Sequence, residues 1–307
     1  MKPKYRKNSD KVSAKKSLGQ HFLKSTDIAR VIARGVHAGY RPVLMPDGSL
    51  DRLVAGGLSH DASEFAAARP SNVLEIGPGM GILSGCLWED PSLNVNLVEI
   101  DPESVVYLAS HFPERVGNGR LFPADFLKMN LDTLFGGEEF ILVGNFPYNI
   151  SNQILFRVLE NKARIPLVTG MFQKEVGERV CARPATKAYG ILSVLLQAFY
   201  QTEYLFTVEP DEFLPPPQVR SCVIRLVRNS RDKLGCDEKM FTALVKKAFN
   251  QRRKTLRNAL KTIEEEMGVP LSRLPQDLLA KRAEELSVED YVAITLSCGA
   301  TLTKALI

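Results

Sequence analysis

The sequence predicts an α/β fold, a doubly wound and mostly parallel sheet followed by a smaller all-helical region. Three observations carry this. Short apolar runs alternate with helical stretches from about residue 71, a glycine-rich turn follows the first of those runs, and strand signals stop beyond about residue 230. With 307 residues, 45% of them hydrophobic and 24% charged, the chain has the composition of a soluble globular protein large enough for one main domain and a smaller one.

The elements follow in order. A helix is expected to start near Ser25. Residues 39–70 carry Gly39, Pro42, Pro46, Gly48, Gly56, Gly57 and Pro70 and read as an irregular insertion before the first strand. Asn72-Val73-Leu74-Glu75-Ile76 reads as that strand, with a glycine-rich turn and a helix near 81–88 after it. Val95 to Ile100 is the next strand and Glu103 to Ser110 the next helix, for which Asp101 before Pro102 suits an N-cap. A short strand precedes Ala124. Phe140 to Val143 is a further strand, followed by a helix over Ser151–Glu160 with Ser151 as its expected N-cap. Ser221 to Val227 reads as a closing strand near an edge of the sheet. This βαβ rhythm requires right-handed crossovers. The boundary is placed between 228 and 229, so that 1–228 form the α/β domain and 229–307 the helical one.

Net charge is +5, only mildly basic. Its distribution is uneven: Lys2, Lys4, Arg6, Lys7, Lys11, Lys15 and Lys16 lie within the first sixteen residues against one acid, Asp10. Such an arm is either a solvated tail or a phosphate-seeking one. The five cysteines are scattered without a CxxC pair, which argues against a zinc site or a disulfide framework and for a reducing compartment. No metal ligands are expected. No apolar run approaches a membrane span, and no signal-peptide stretch opens the chain. A cytoplasmic protein is the expectation.

The chemistry lies in the strand ends. Glu75-Ile76-Gly77-Pro78-Gly79-Met80-Gly81 permits tight turning and close backbone approach to a ligand at Gly77 and Gly79. The spacing is GxGxG rather than GxGxxG, and Pro78 removes an amide, so a ligand without pyrophosphate is favoured over a dinucleotide. Glu99, about 20 residues on, suits a ribose, with Ile100 packing on an adenine face. Asp125 in Ala124-Asp125-Phe126 fits either an adenine amino group or an ordinary surface position. Gly144-Asn145-Phe146-Pro147-Tyr148 then ends a buried strand in Asn, a spacer, Pro and Tyr. An aromatic amine is a poor nucleophile because its lone pair is delocalised. If the Asn145 side-chain oxygen and the Pro147 carbonyl each accept one amine hydrogen, the lone pair is directed at an incoming methyl group while Tyr148 stacks on the base. The pattern points to an amino-directed methyltransferase; the alternative is a Pro-terminated strand with an aromatic plug.

These residues resemble the ribosomal RNA small-subunit adenine dimethyltransferase family, of the bacterial kasugamycin-sensitivity type. The matching segments are Leu18 to Leu23, Glu75 to Gly81, Val98 to Asp101, Ala124 to Leu127, Gly144 to Ser151, Gln173 to Val176, Tyr189 to Val194, Phe213 to Ser221 and Phe249 to Asn258, in family order. The resemblance implies a Rossmann-like class I methyltransferase domain with a small helical domain, using S-adenosylmethionine to dimethylate two adjacent adenines near the 3′ end of small-subunit rRNA, with a part in ribosome biogenesis. It places cofactor contacts on His21, Leu23, Gly77, Glu99, Asp125 and Asn145, and base-stacking aromatics on Tyr148 and Phe213, the latter beside three stiffening prolines, where the alternative is a core aromatic next to a rigid turn. The chain departs from the family in its long connection at 39–70.

Between Met240 and Met267 an apolar arc of Leu244, Val245, Phe249, Leu256, Leu260, Ile263 and Met267 opposes Lys246, Lys247, Arg253, Lys254, Arg257 and Lys261. Only Arg252 projects into the apolar arc, which suggests that it is paired or that the helix bends at Asn250-Gln251. Lys15, Lys16, Arg252, Arg253, Lys254 and Arg257 are the candidate RNA contacts, the partner being small-subunit rRNA in the immature 30S particle and the protein a monomer. Two rivals share parts of this pattern, a large-subunit rRNA adenine methyltransferase and a non-catalytic RNA-binding or assembly factor.

Overall fold

The computed structural model describes residues 12–42, 44–45, 50, 71–261 and 270–304, the last six by backbone alone. Most of the expected insertion, and Ile263 and Met267 of the apolar arc, lie outside the described residues. In chain order the elements that position the site are β1 (Phe22–Leu23), α1 (Thr26–Arg34), β2 (Ser71–Ile76), α2 (Ile82–Trp88), β3 (Leu93–Glu99), α3 (Pro102–His111), α4 (Pro113–Val116), β4 (Leu121–Pro123), β5 (Ile141–Asn145), α5 (Ser151–Glu160), β6 (Leu167–Gln173), α6 (Lys174–Val180), α7 (Ile191–Gln197), β7 (Tyr200–Val208), β8 (Phe213–Leu214) and β9 (Ser221–Arg228). The helices α8 (Glu238–Asn250), α9 (Leu256–Ala259), α10 (Gln276–Leu279) and α11 (Val288–Lys304) follow.

The sheet has seven strands in the order β4-β3-β2-β5-β6-β9-β7. The run from β4 to β6 is parallel, and β9 pairs antiparallel with β6. The order reverses between β2 and β5, and in such sheets that switch point leaves a crevice at the strand C-termini. β6 and β7 lie outside the strands that the sequence predicts. β6 is buried on both faces from Leu167 to Phe172, with no alternation to mark it. β9 is the penultimate strand, with β7 beyond it.

Local rules account for the helix starts. Ser25 caps α1 by accepting the Ile28 N–H at 3.3 Å, and Asp101 caps α3 by accepting the Glu103 N–H at 3.1 Å, with Pro102 at the first helical position. Ser151 differs from expectation. It is the first residue inside α5 and its hydroxyl donates to the Pro147 carbonyl at 3.1 Å instead of accepting from the helix.

The chain forms two compact units, Met1–Gly177 with Glu203–Val227, and Glu178–Thr202 with Arg228–Ile307. A single division at 228 therefore misses 178–202, an internal segment belonging with the C-terminal helices. Sequence continuity hides this: Gln197 donates to the carbonyls of Val180 and Ala182 at 2.9 and 2.8 Å, and Asn229 N–H to Phe199 O at 2.9 Å, so the segment closes on itself and on residues after 228. In this unit the helical run from 240 ends at the Asn250-Gln251 bend that the sequence offers as one alternative. α8 stops at Asn250, and after a turn Thr255 forms an antiparallel bridge with Arg282, Leu256 N–H donating to Lys281 O at 2.7 Å. Leu244, Val245, Leu256 and Leu260 are all buried on either side of the turn, so the sequence reads them as one apolar arc.

In the first unit, α1 packs on α2, and Ile28, Val31 and Ile32 join Leu23, Val73, Leu83 and Phe213 in the core. The fully buried Arg225 of β9 donates to the carbonyls of His37 and Tyr40 at 3.0 and 2.8 Å and pairs with Glu203 at 2.6 Å, tying the chain after α1 to the sheet.

Candidate active site

The C-termini of four neighbouring parallel strands open into a cavity of about 190 Å³. Across the sheet they present Asp125 after β4, Glu99 at the end of β3, Gly77 after β2 and Asn145 at the end of β5. The registers Ile76 with Val98 and Ile76 with Gly144 bring these ends level. His21, Leu23, Gly79, Ile100, Pro147 and Tyr148 line the same cavity. One wall comes from residues 18–23 near the N-terminus, far from the rest in sequence.

The glycine turn needs its glycines. Gly77 and Gly79 have φ of +64° and +58°, where a side chain is strained. A Cβ on Gly79 would meet the Phe22 ring at 2.9 Å. One on Gly77 would stand 4.0 Å from Pro147, projecting between the turn and the Asn-Phe-Pro-Tyr segment.

Glu99 is 3% exposed. Its Oε2 accepts the Gly79 N–H at 3.1 Å and its Oε1 the Asp101 N–H at 2.8 Å. Burial raises its pKa above the ordinary range, opposed by these bonds. Each oxygen keeps a further lone pair, the requirement for receiving two ribose hydroxyls. Beneath the turn, Glu75 is buried and accepts the Ser84 hydroxyl at 2.6 Å; burial pushes its carboxyl up to about 8. Ile100 is 51% exposed, a large apolar side chain at a cavity wall. Asp125 Oδ1 accepts the Leu127 N–H at 3.0 Å, which fixes the turn that carries it. Two carboxylates on neighbouring strand ends, Glu99 and Asp125, in an apolar cleft closed by a glycine turn fit an adenosine-bearing cation without pyrophosphate, here S-adenosylmethionine.

Asn145 donates from Nδ2 to the His21 carbonyl at 2.8 Å. A carbonyl only accepts, so the amide orientation is determined and Oδ1 is turned away from His21 as an acceptor. Phe146, the spacer, points inward: it is 1% exposed, its ring packs on Phe172 at 4.6 Å and its N–H donates to Met171 O at 3.0 Å. Burying the spacer holds Asn145 and Pro147 outward. The Pro147 carbonyl already accepts the Ile150 N–H at 3.2 Å and the Ser151 hydroxyl at 3.1 Å. Tyr148 shares a short hydrogen bond with Ser221, burial pushes its phenol up to about 12, and its ring lies 5.5 Å from His21 at 27°. His21 in turn donates from Nδ1 to Pro215 O at 2.8 Å.

Not every expected residue joins the cavity. Phe213 is 1% exposed and sits in the core opposite Leu23 in the β1–β8 pair, so it does not face a base here; alternation along a strand sends Leu214 outward in its place. Lys15 is ion-paired with Asp101 and lies 3.7 Å from Glu103, while Lys16 is exposed. Arg252 donates to Glu284 at 2.7 Å and to Lys187 O at 2.8 Å, which engages its guanidinium inside the second unit. Arg253, Lys254 and Arg257 are exposed, Arg257 donating to Gln276.

Several site residues carry no individual expectation. Gln20 donates to Asp101 Oδ2 at 3.1 Å and accepts the Lys15 N–H at 2.8 Å, fastening residues 15–20 to the start of α3. Burial opposes the Asp101 charge, but bonds from Lys15, Gln20 and the Glu103 N–H outweigh it and hold that carboxyl below the ordinary range. Phe22 and Ser221 are likewise unassigned. All three lie in segments that match the family, yet nothing in their spacing states what they touch.

Residues 11–297 match the family model described as ribosomal RNA adenine dimethylase. The chain is 47% identical over 284 residues to the ribosomal RNA small subunit methyltransferase A of Bacteroides thetaiotaomicron, covering 92% of this chain and 93% of that one. It is 45% identical over 287 residues to the protein of the same name from Porphyromonas gingivalis, with 93% and 98% covered. Among solved structures it is similar to a dimethyladenosine transferase from Plasmodium falciparum (TM-score 0.63, 22% identity, 80% of this chain and 96% of that one). It is also similar to the 23S rRNA methyltransferase ErmE (TM-score 0.58, 20% identity, 91% and 99% covered). At these identities the structural likeness speaks to the fold alone.

Proposed function

The chain belongs to the ribosomal RNA adenine dimethylase family, and on that premise we propose that it dimethylates the exocyclic amino groups of two adjacent adenines near the 3′ end of small-subunit rRNA. Its cofactor, S-adenosylmethionine, supplies when bound an electrophilic methyl group on a sulfonium. Glu99 holds the ribose, Ile100 packs on the cofactor's adenine and Asp125 receives its amino group. The observation that carries the reading is Asn145: the His21 carbonyl fixes its amide so that Oδ1 is the acceptor at a strand end beside Glu99 and the glycine turn.

The target adenine leaves its stack to enter this corner. Asn145 Oδ1 accepts one amine hydrogen and the Pro147 carbonyl the other, so the nitrogen lone pair is directed out of the ring plane. For this the Ser151 hydroxyl rotates off Pro147, leaving the weaker Ile150 bond in place. Tyr148 stacks on the base and remains a phenol. No general base is needed before attack, because the nitrogen proton becomes acidic once the nitrogen is cationic.

Arg253, Lys254, Arg257 and Lys16 contact RNA phosphates, whereas Lys15 and Arg252 serve their internal partners. The substrate is the immature 30S particle, and the protein acts as a cytoplasmic monomer in small-subunit biogenesis. Among the described residues there is no cluster of potential metal ligands and no helix long and apolar enough to cross a membrane. The test is incubation with labelled cofactor and unmethylated small subunits, alongside large subunits and DNA. Label recovered as dimethyladenine from small-subunit rRNA alone is the expected result; cofactor binding without transfer would make the protein a binding factor, and label in large subunits would reassign its target.

A further inference from the structure

The loop from Leu214 to Arg220 presents an apolar surface that the transfer chemistry does not use. Leu214 is 60% and Val219 47% exposed, with exposed Pro215 and Pro216 between them. Large apolar side chains left in solvent cost hydration free energy, and adjacent ones mark a contact surface more often than isolated ones do. This loop is fastened to the adenine corner at three points. Leu214 lies opposite Phe22, a cavity-lining residue, in the β1–β8 pair, which puts both side chains on one face. The Pro215 carbonyl accepts from His21, and Ser221 bonds the Tyr148 hydroxyl.

We propose that Leu214, Pro215, Pro216 and Val219 form a ledge for the nucleotide next to the methylated adenine in unpaired RNA. The proposal rests on the adenine-methylation function above and adds a subsite to it. Two features select a nucleotide over a protein. Four side chains fall far short of the roughly 20–30 residues a side that a stable protein interface uses. The surface is also joined to the base corner through the Leu214–Phe22 pairing and the His21–Pro215 bond, within reach of a nucleotide linked to the flipped one. The prolines offer apolar contact at low entropy cost, since their rings are already fixed, and Leu214 and Val219 extend it. Arg220 closes the ledge with a cation whose ion pair to Glu209, at 3.8 Å and with both side chains more than half exposed, is screened by solvent and open to a phosphate. Engaging the neighbouring base gives the enzyme a way to distinguish an unpaired adenine inside a strand from one at its end.

The experiment uses the full chain with Leu214→Ser, Val219→Ser, the double variant and Leu214→Phe, on unmethylated small subunits. Because both side chains are largely in solvent, the melting temperature and the cofactor Kd should match wild type, which separates the ledge from cofactor binding. The double variant is expected to lose about tenfold in kcat/KM for subunits, the scale of one base contact, and Leu214→Phe to equal or exceed wild type by offering a ring. Reconstituted subunits carrying uracil at the nucleotide flanking the adenine pair, with both targets kept, should slow wild type but not the double variant. A double variant as efficient as wild type, or a Leu214→Phe that falls with the serine changes, overturns the ledge while the methyltransferase reading stands. Wild-type protein that transfers no label to small-subunit adenine overturns both.

Discussion

Asn145 shows how one side chain acquires a direction. Its residue type supplies both a donor and an acceptor, and only the His21 carbonyl decides which end faces the substrate. Asn145→Ala should therefore abolish transfer while leaving RNA affinity within about twofold, since phosphate contacts carry most of that affinity; a filter-binding titration beside the transfer assay checks both. Glu75 adds a pH dependence. Its carboxyl, pushed up to about 8 by burial, holds a proton that an unfolded chain has already released, so its contribution to stability falls as pH rises from the ordinary glutamate range towards 8. A cationic cofactor favours the ionised form. Cofactor affinity should then rise with pH, by at most about tenfold per unit for one proton, and flatten above about 8. Calorimetry in buffers of different ionisation enthalpy should count a proton released near neutral pH, and Glu75→Gln should remove that release.

At the scale of elements, the segment 15–23 and the N-terminus of α3 depend on one buried carboxylate. Asp101 caps the helix and receives Lys15 and Gln20, so Asp101→Ala removes the cap, worth about 1 kcal/mol, together with the fastening of one cavity wall. A lower melting temperature and a several-fold weaker cofactor Kd are expected; an unchanged Kd would show that the wall stands without this link. The depressed pKa gives the complementary sign to Glu75: the stabilisation is present above the ordinary aspartate range and is lost as pH falls through the folded-state value. The turn after α8 separates two kinds of cation. Arg252→Ala should lower the melting temperature by breaking the Glu284 pair and two carbonyl bonds, whereas replacing Arg253 and Lys254 by Ala should leave melting unchanged and reduce the salt slope of RNA binding by about two.

At the scale of the molecule, one buried charge outside the cavity lining joins three segments distant along the chain. Arg225 is fully buried with Glu203 as its counter-ion, and Glu203 also receives Arg41 at 2.8 Å. Removing one partner of a buried pair leaves an uncompensated charge, so Glu203→Ala should cost about 3–5 kcal/mol in denaturant unfolding, with Glu203→Gln recovering part of it. A loss near zero would mean that water reaches Arg225.

The first βαβ units, the caps at Ser25 and Asp101 and the strand-end motifs are legible in the residues alone. Each is set within a few residues by periodicity, φ freedom or a local hydrogen bond, as at Gly79, Asp101 and Asn145. What those motifs touch is settled by the packing of remote segments. The orientation of the Asn145 amide, the burial of Phe213 and exposure of Leu214, the pairing of Lys15 and Arg252, and the membership of 178–202 in the helical unit all depend on partners distant along the chain. Periodicity reports which face of an element is apolar, but a hydrogen bond or ion pair between remote segments leaves no period behind. The arc from residue 240 marks that limit: Leu244, Val245, Leu256 and Leu260 are all buried, while the helix between them ends at Asn250.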